Sequence, residues 1–297
     1  LPELPEVETV ANGVHDRVRG RRIVSVWTSG KPQTFKSPEP VIADTLAGTR
    51  IESVRRVGKT IVMTVGRGLG GGASAGHAEF LIHLGMTGRL LVSQAEVPVP
   101  LHTHAVLALD DGREVRFVDP RRFGRLSIHE GDAGEDAASS AKHRETENEA
   151  RTTGGYSGPG REPLTITLDN FVALFRGRKT PIKAALLNQS LLHGVGNIYA
   201  DESLFRAGIR PRRQAGRLTR AELLRLREAL IDVLKKAIKL GGSSVSDYVD
   251  ADGVRGFFQL EHKVYGRAGE SCLDCGTGLK KLVVGGRTTV FCPTCQH

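Results

Sequence analysis

Cysteine is missing from almost the whole chain. Its four cysteines, Cys272, Cys275, Cys292 and Cys295, all stand within the last 26 of 297 residues. They cannot staple the rest, which excludes a chain-wide disulfide framework and favours a local metal site. Long apolar runs are missing too, and none reaches the ~18 residues a membrane span requires. The start, Leu-Pro-Glu-Leu-Pro-Glu, lacks the basic-then-apolar order of a secretory signal. These absences predict a soluble, cytoplasmic protein with no membrane partner. Residues 131–160 contain no Val, Leu or Ile and a single aromatic residue. Such a stretch cannot bury enough surface to fold, so a disordered linker or insertion is predicted there. No internal repeat is present.

What is there points to about two domains, since one core stops growing near ~250–300 residues. The formal net charge of +9 is unevenly placed: +3 over residues 1–130, −3 over 131–160 and +9 over 161–297. A basic second half suits a polyanion such as DNA or RNA, although the same charge also serves solubility.

Residues 4–18 are predicted to be a helix. Val7, Val10, Val14 and Val18 fall near one face, and Glu6 and Glu8 sit in the first turn. Short Val/Ile/Leu-rich runs at 23–27, 51–54, 60–65, 79–83, 89–92, 105–109 and 114–118 follow, separated by Gly, Pro and Asp. They predict an antiparallel sandwich or barrel, with Asp111-Gly112 as a hairpin turn. The Gly/Ala/Ser tract at 66–76 is expected to be a flexible hairpin tip. The second half is helical: 169–175, 181–192, 198–207 with Asn197 as its cap, and 219–240. The last opens on a capping box, Thr219 with Glu222, and ends at Gly241-Gly242.

Three features carry chemistry. Two C-x2-C pairs 16 residues apart can close a tetrahedral S4 zinc site, and Gly285-Gly286 between them turns a hairpin; two disulfides or an iron–sulfur cluster are the alternatives. The full sulfur shell leaves no open position, which makes the metal structural. Gly194-Val-Gly-Asn197-Ile-Tyr-Ala200 joins two helices; its glycines and the free N–H groups beyond can admit a phosphate, with Arg176, Arg178, Lys179 and Lys183 adding contacts, or it is an ordinary interhelical turn. Pro2, once the residue before it is removed, presents a secondary amine able to attack a sugar C1′, with Glu3 beside it to move protons. Read alone, Pro2 and Pro5 equally well stiffen the start of a helix.

Residues 2–10 (PELPEVETV), His83-Leu-Gly-Met86-Thr-Gly, Asp119-Pro-Arg-Arg-Phe-Gly124, the GVGNIYA turn and the terminal C4 hairpin occur here in one order. In that order and spacing the chain resembles the bacterial formamidopyrimidine-DNA glycosylases over nearly its whole length, except residues 66–78 and 131–160. The resemblance implies an α+β fold: an N-terminal antiparallel β-sandwich with flanking helices (1–130), the linker or insertion (131–160), a helix–two-turn–helix DNA-binding domain (161–260) and a C4 zinc-finger β-hairpin (261–297). It implies a base-excision repair enzyme that removes 8-oxoguanine and formamidopyrimidines from duplex DNA and then cuts the strand by β- and δ-elimination. Such an enzyme must flip the base out and fill the gap.

On the matching positions the resemblance makes Pro2 the nucleophile, Glu3 its acid/base partner, Lys59 the lysine of β-elimination and Arg287 the arginine of δ-elimination. Met86, Arg121 and Phe123 match the void-filling residues, and His102, Arg178 and Asn197 match DNA contacts. The stretch from Gly242 to Gly253 resembles the loop that closes over a flipped purine. With Pro2-Glu-Leu-Pro-Glu6, it favours the purine branch over an endonuclease VIII-like pyrimidine enzyme. Leu1, if retained, makes the Pro2 nitrogen an amide and the protein a non-enzymatic damage binder; a start codon translated literally as Leu, with that residue removed, is the expectation. Damaged double-stranded DNA is the expected partner, one structural zinc the expected cofactor, and a monomer in the bacterial cytoplasm, associated with the nucleoid, the expected state.

Overall fold

The computed structural model describes residues 2–66, 77–130, 155–244 and 249–297. The glycine-rich tract at 67–76, residues 131–154 and residues 245–248 of the purine-loop stretch lie outside the described residues. By backbone contacts the chain divides into two units, and the division is not a single cut: one unit is Val14–Arg55 with Thr60–Ser157, the other Leu1–Gly13, Arg56–Lys59 and Gly158–His297.

The first unit holds two four-stranded antiparallel sheets. One is built from β1 (Ile23–Thr28), β6 (Thr103–Leu109), β7 (Arg113–Val118) and β5 (Arg89–Gln94), in that order across the sheet. The other runs β2 (Arg50–Val57), β3 (Thr60–Gly66), β4 (His77–His83), β8 (Arg125–Glu130). The strands bury apolar side chains, among them Ile61, Phe80, Ile82, Val115, Phe117 and Leu126. Gly112 takes φ +82° in the β6–β7 turn, as Asp111-Gly112 predicts. Two elements escape sequence reading. Helix α2 (Glu39–Leu46) starts behind Pro38 and buries Ile42 and Leu46. Strand β8, six residues long, is the other; Leu126 and Ile128 stand on one side of its alternation. The predicted linker is shorter than expected at its far end. Tyr156 donates its N–H to Glu79 Oε2 at 2.6 Å, and its ring packs edge-on to His129.

The second unit opens with α1 (Leu4–Val18) as far as Gly13, and the helix's first residue, Leu4, is buried in a core with Phe171, Phe175, Leu186, Val195, Tyr199, Leu230 and Phe258. Its helices are α3 (Leu168–Phe175), α4 (Ile182–Leu186), α5 (Asn197–Arg206) and α6 (Arg220–Lys239). The Thr219–Glu222 capping box forms in both directions. The expected helix at 181–192 stops at Leu186. Asn188 takes the Ser190 N–H at 2.9 Å and Gln189 the Gly194 N–H at 2.9 Å, so side chains replace the next helical turn. Strands β9 (Lys280–Val284) and β10 (Arg287–Phe291) form the terminal hairpin, with Gly285 and Gly286 both at positive φ, the requirement of a two-residue type I′ turn. Among the described residues no helix is long and apolar enough to cross a membrane.

Candidate active site

Glu3 immediately precedes α1 and Glu6 lies in its first turn. Glu6 Oε2 accepts the Glu3 N–H at 2.8 Å, half of a capping box. The Leu4 N–H, otherwise an orphan of the helix start, donates to the Gly194 carbonyl at 3.0 Å. The glycines of the second unit make this approach possible. A Cβ on Gly194 would stand 2.9 Å from Leu4, one on Gly196 2.2 Å from the Glu3 carboxyl carbon, and one on Gly242 2.9 Å from Glu6. The gap expected to admit a phosphate at Gly196 is therefore filled by Glu3. Gly196→Ala is expected to cost ~1–3 kcal/mol by overpacking and to push the carboxyl away. Denaturant unfolding and single-turnover excision would check both effects.

The Glu3 carboxyl is buried. Oε1 accepts the Ile198 N–H at 3.3 Å, and Oε2 has no hydrogen-bond partner among the described residues. Burial pushes its pKa up to about 7, against the lowering charge of Lys59 and with a further push from Glu6. Burial also raises Glu6, whose carboxylate accepts the Tyr199 hydroxyl and, at 2.7 Å, the Ser243 N–H. Lys59, in the β2–β3 turn, is held below the usual lysine range by burial. Glu3, Lys59, Asn197 and Arg287 line one cleft of about 580 Å³, with Gln189, Ser243 and Tyr265. Pro2 is buried directly before Glu3. Tyr265 is not among the site residues expected from the sequence.

Two site expectations need correction. Asn197 is the first residue of α5, not its cap; Gly196 takes the cap position without a side-chain bond. The Asn197 amide instead donates to the Thr288 carbonyl at 3.0 Å, and the Glu3 carboxylate serves the helix start. Lys183 does not face a phosphate. It is fully buried, with its ammonium 2.7 Å from Asp201 Oδ1, 2.7 Å from Thr289 Oγ1 and 3.1 Å from the Thr288 carbonyl. Burial raises Asp201 to about 6 and lowers Lys183, while Asp201 Oδ2 also takes the Val290 N–H. The pair ties α4 and α5 to β10, just behind Arg287. Arg178 is exposed, its Nε donating to the Leu174 carbonyl.

In the sandwich unit, Met86, His102, Arg121 and Phe123 are all exposed. Buried Asp119 organises their loops: Oδ1 accepts Thr87 Oγ1 at 2.6 Å and the Arg121 N–H at 3.2 Å, and Oδ2 accepts the Gly124 N–H at 2.7 Å. Its own N–H donates to the His102 carbonyl at 3.0 Å. The Arg121 guanidinium lies 4.8 Å from the Phe123 ring centroid. His102 sits at φ +65°, a conformation L residues adopt under constraint.

The four cysteine sulfurs lie within 4.8 Å of one another. The pairs Cys272–Cys295 and Cys275–Cys292 are 3.9 and 3.5 Å apart and form no disulfide. Zn–S bonds of about 2.3 Å in a tetrahedron separate sulfurs by about 3.8 Å, so the set fits one structural zinc. Bound there, the ion would cross-link the two knuckles and leave no position for substrate.

Solved structures share this fold over full length. A variant Lactococcus lactis Fpg bound to Fapy-dG containing DNA matches at TM-score 0.81 and 29% identity, with 100% of each chain covered. The Lactococcus lactis Fpg with an abasic site containing DNA matches at 0.81 and 29%, with 99% of each chain covered. The fold and the cleft thus define a DNA glycosylase of base-excision repair with a zinc finger. Three family models cover the chain: the formamidopyrimidine-DNA glycosylase N-terminal domain at residues 1–126, its H2TH domain at 159–249, and the zinc finger found in FPG and IleRS at 269–297. The formamidopyrimidine-DNA glycosylase of Solibacter usitatus is 42% identical over 296 residues, covering 100% of this chain and 99% of its own. That of Gluconobacter oxydans is 43% identical over 303 residues, covering 100% of both. The chain belongs to the formamidopyrimidine-DNA glycosylase family.

Proposed function

We propose that this glycosylase excises 8-oxoguanine and formamidopyrimidines from duplex DNA through an imine on Pro2, then cuts the strand by β- and δ-elimination. The observation that carries the reading is a buried carboxyl, Glu3, with a pKa of about 7, in one cleft with Lys59, Asn197 and Arg287. A carboxyl poised near neutrality can give and take a proton at working pH. The Pro2 nitrogen uses its lone pair to form a bond to C1′ as the bond from C1′ to the base breaks, with the pair of that bond leaving on the base. The attached nitrogen gives up its proton to the departing base, and its recovered lone pair forms the C1′=N bond of the iminium as the C1′–O4′ bond breaks onto O4′, which takes a proton from Glu3. Lys59 assists removal of the C2′ proton, expelling the 3′-phosphate, and Arg287 assists the second elimination. Asn197, Arg178 and His102 would hold phosphates; Met86, Arg121 and Phe123 would fill the void left by the flipped base. Lys183 positions β10 instead of touching DNA. The chemistry requires Pro2 to carry a free secondary amine, since an acylated nitrogen has no lone pair to give. The protein acts in this reading as a monomer on damaged duplex DNA in the cytoplasm.

One observation favours a second substrate. A Lactococcus lactis Fpg structure holds DNA with an oxidised pyrimidine, at TM-score 0.80 and 29% identity. Comparing cleavage of 8-oxoguanine and thymine-glycol duplexes decides the order of preference; faster cleavage of the pyrimidine lesion would reverse it. The primary test is borohydride trapping on an 8-oxoguanine:cytosine duplex. A covalent band is expected, strongly reduced in Pro2→Gly while duplex binding stays. Binding without any band would withdraw the enzyme reading for that form.

A further inference from the structure

Arg56 lies in β2, just before the turn that carries Lys59, and its side chain is 4% exposed. Its guanidinium serves three elements. Nε donates to Glu8 Oε2 on α1 at 2.5 Å, Nη2 pairs with Glu162 Oε2 at 2.9 Å, and Nη1 donates to the Gly58 carbonyl at 3.2 Å. Glu162 passes the contact on, since the same Oε2 takes a hydrogen bond from His193 Nε2 at 3.2 Å. His193 immediately precedes Gly194, whose carbonyl anchors Leu4 at the head of α1. Close packing holds His193 in place: a Cβ on Gly58 would stand 3.0 Å from its Cβ, and one on Gly158 2.7 Å from its Nδ1.

One buried cation therefore reaches the helix that starts beside Glu3, the turn that carries Lys59 and, through Glu162 and His193, the turn that ends at Asn197. A planar fork with five donors can span these directions at once, whereas an ammonium on a flexible stem cannot. Arg56, Glu162 and His193 do not line the cleft. We propose that Arg56, acting through Glu162 and His193, is the positioning residue of the excision reaction: it holds Lys59 and the Asn197 turn in register with Glu3. This rests on the reading of Pro2, Glu3 and Lys59 given above.

The consequence is electrostatic as well as geometric. The Lys59 charge holds Glu3 down against burial and Glu6, so a displaced Lys59 lets the Glu3 pKa climb. Arg56→Ala would leave Glu8 and Glu162 without their cation, so the test uses Arg56→Lys and Glu162→Gln in the full-length zinc-loaded protein. Single-turnover excision of 8-oxoguanine, strand cleavage at a preformed abasic site, duplex Kd and the pH profile of excision are measured for each. Arg56→Lys is expected to lose about 10–100-fold in both chemical rates, the scale of an ångström's misplacement, with Kd within about threefold. The alkaline limb of excision is expected to move to higher pH. Glu162→Gln should move the same readouts by less, and it decides the matter alone if Arg56→Lys does not fold. Unchanged rates, or a rate loss matched by an equal loss of binding with an unmoved pH profile, would overturn the proposal. Wild-type protein trapped alongside separates the two readings. No wild-type adduct withdraws the Pro2 chemistry, whereas a wild-type adduct with unaltered variant kinetics withdraws only the role of Arg56.

Discussion

Glu3→Gln is expected to slow excision by about 10²–10⁴-fold, the usual worth of a placed acid or base, while making the fold more stable in alkaline solution. The sign follows from the raised pKa. A carboxyl moved up from 4.5 to about 7 by burial binds its proton more tightly folded than unfolded. Its contribution is therefore fully present below pH 4.5 and is lost as pH rises through about 7. Glutamine keeps an acceptor for the Ile198 N–H and never ionises, so it escapes that loss. The advantage of the variant should grow by about 2 kcal/mol between about pH 5.5 and about pH 8, from 1.36 kcal/mol per pKa unit. Urea unfolding at the two pH values, alongside single-turnover excision, checks both halves. A variant as active as wild type would remove Glu3 from the chemistry, and one with no pH-dependent gain would mean the carboxyl is not held neutral by burial.

The second large effect concerns the metal. Cys292→Ser removes one of four sulfurs that stand within 4.8 Å of one another. Structural zinc supplies about 10–16 kcal/mol in small finger peptides. The apolar core around the hairpin is small, Phe205, Val264, Leu279 and Val290 with Cys272 and Cys292 themselves. The variant should lose its zinc, and the hairpin that presents Arg287 and anchors Asn197 through Thr288 should loosen. Duplex affinity should then fall by at least about two orders of magnitude, toward the non-specific level that lies ~10³–10⁷ below specific binding. Metal analysis and a binding isotherm at fixed salt test this, because phosphate contacts make affinity steeply salt-dependent. Full affinity in the metal-free variant would contradict the finger's part in binding.

Which parts were legible depended on how far apart the cooperating residues stand. The Thr219 capping box, the Asp111-Gly112 turn and the Gly285-Gly286 hairpin each need only a few neighbouring residues, and each forms as predicted. The four-sulfur cluster is nearly as local, two knuckles joined by one hairpin. Helix 181–192 failed for the opposite reason. Nothing in its apolar spacing announced that Asn188 and Gln189 would bond their own backbone and the Gly194 N–H in place of another helical turn.

Lys183 and Asn197 show the same limit in the site. By composition Lys183 belongs to a basic, phosphate-facing surface, yet it is buried against Asp201, and Asn197, expected as a helix cap, instead donates to a carbonyl of β10. Asp119 stands within a family motif, but nothing in the sequence marks either it or Arg56 as a hub of the loops around it.

By itself the sequence determined the strand alternation, the Thr219 capping box, the zinc knuckles and the motifs that mark the family, because each is written in spacings of a few residues. Only the tertiary structure decided that burial raises the Glu3 pKa to about 7, that Lys183 serves the hairpin and that Arg56 joins three elements. Those properties come from desolvation and from contacts between residues far apart in the chain. The approach of Leu4, Glu3 and Glu6 to Gly194, Gly196 and Gly242, where no Cβ stands in the way, is what puts the carboxyl out of water.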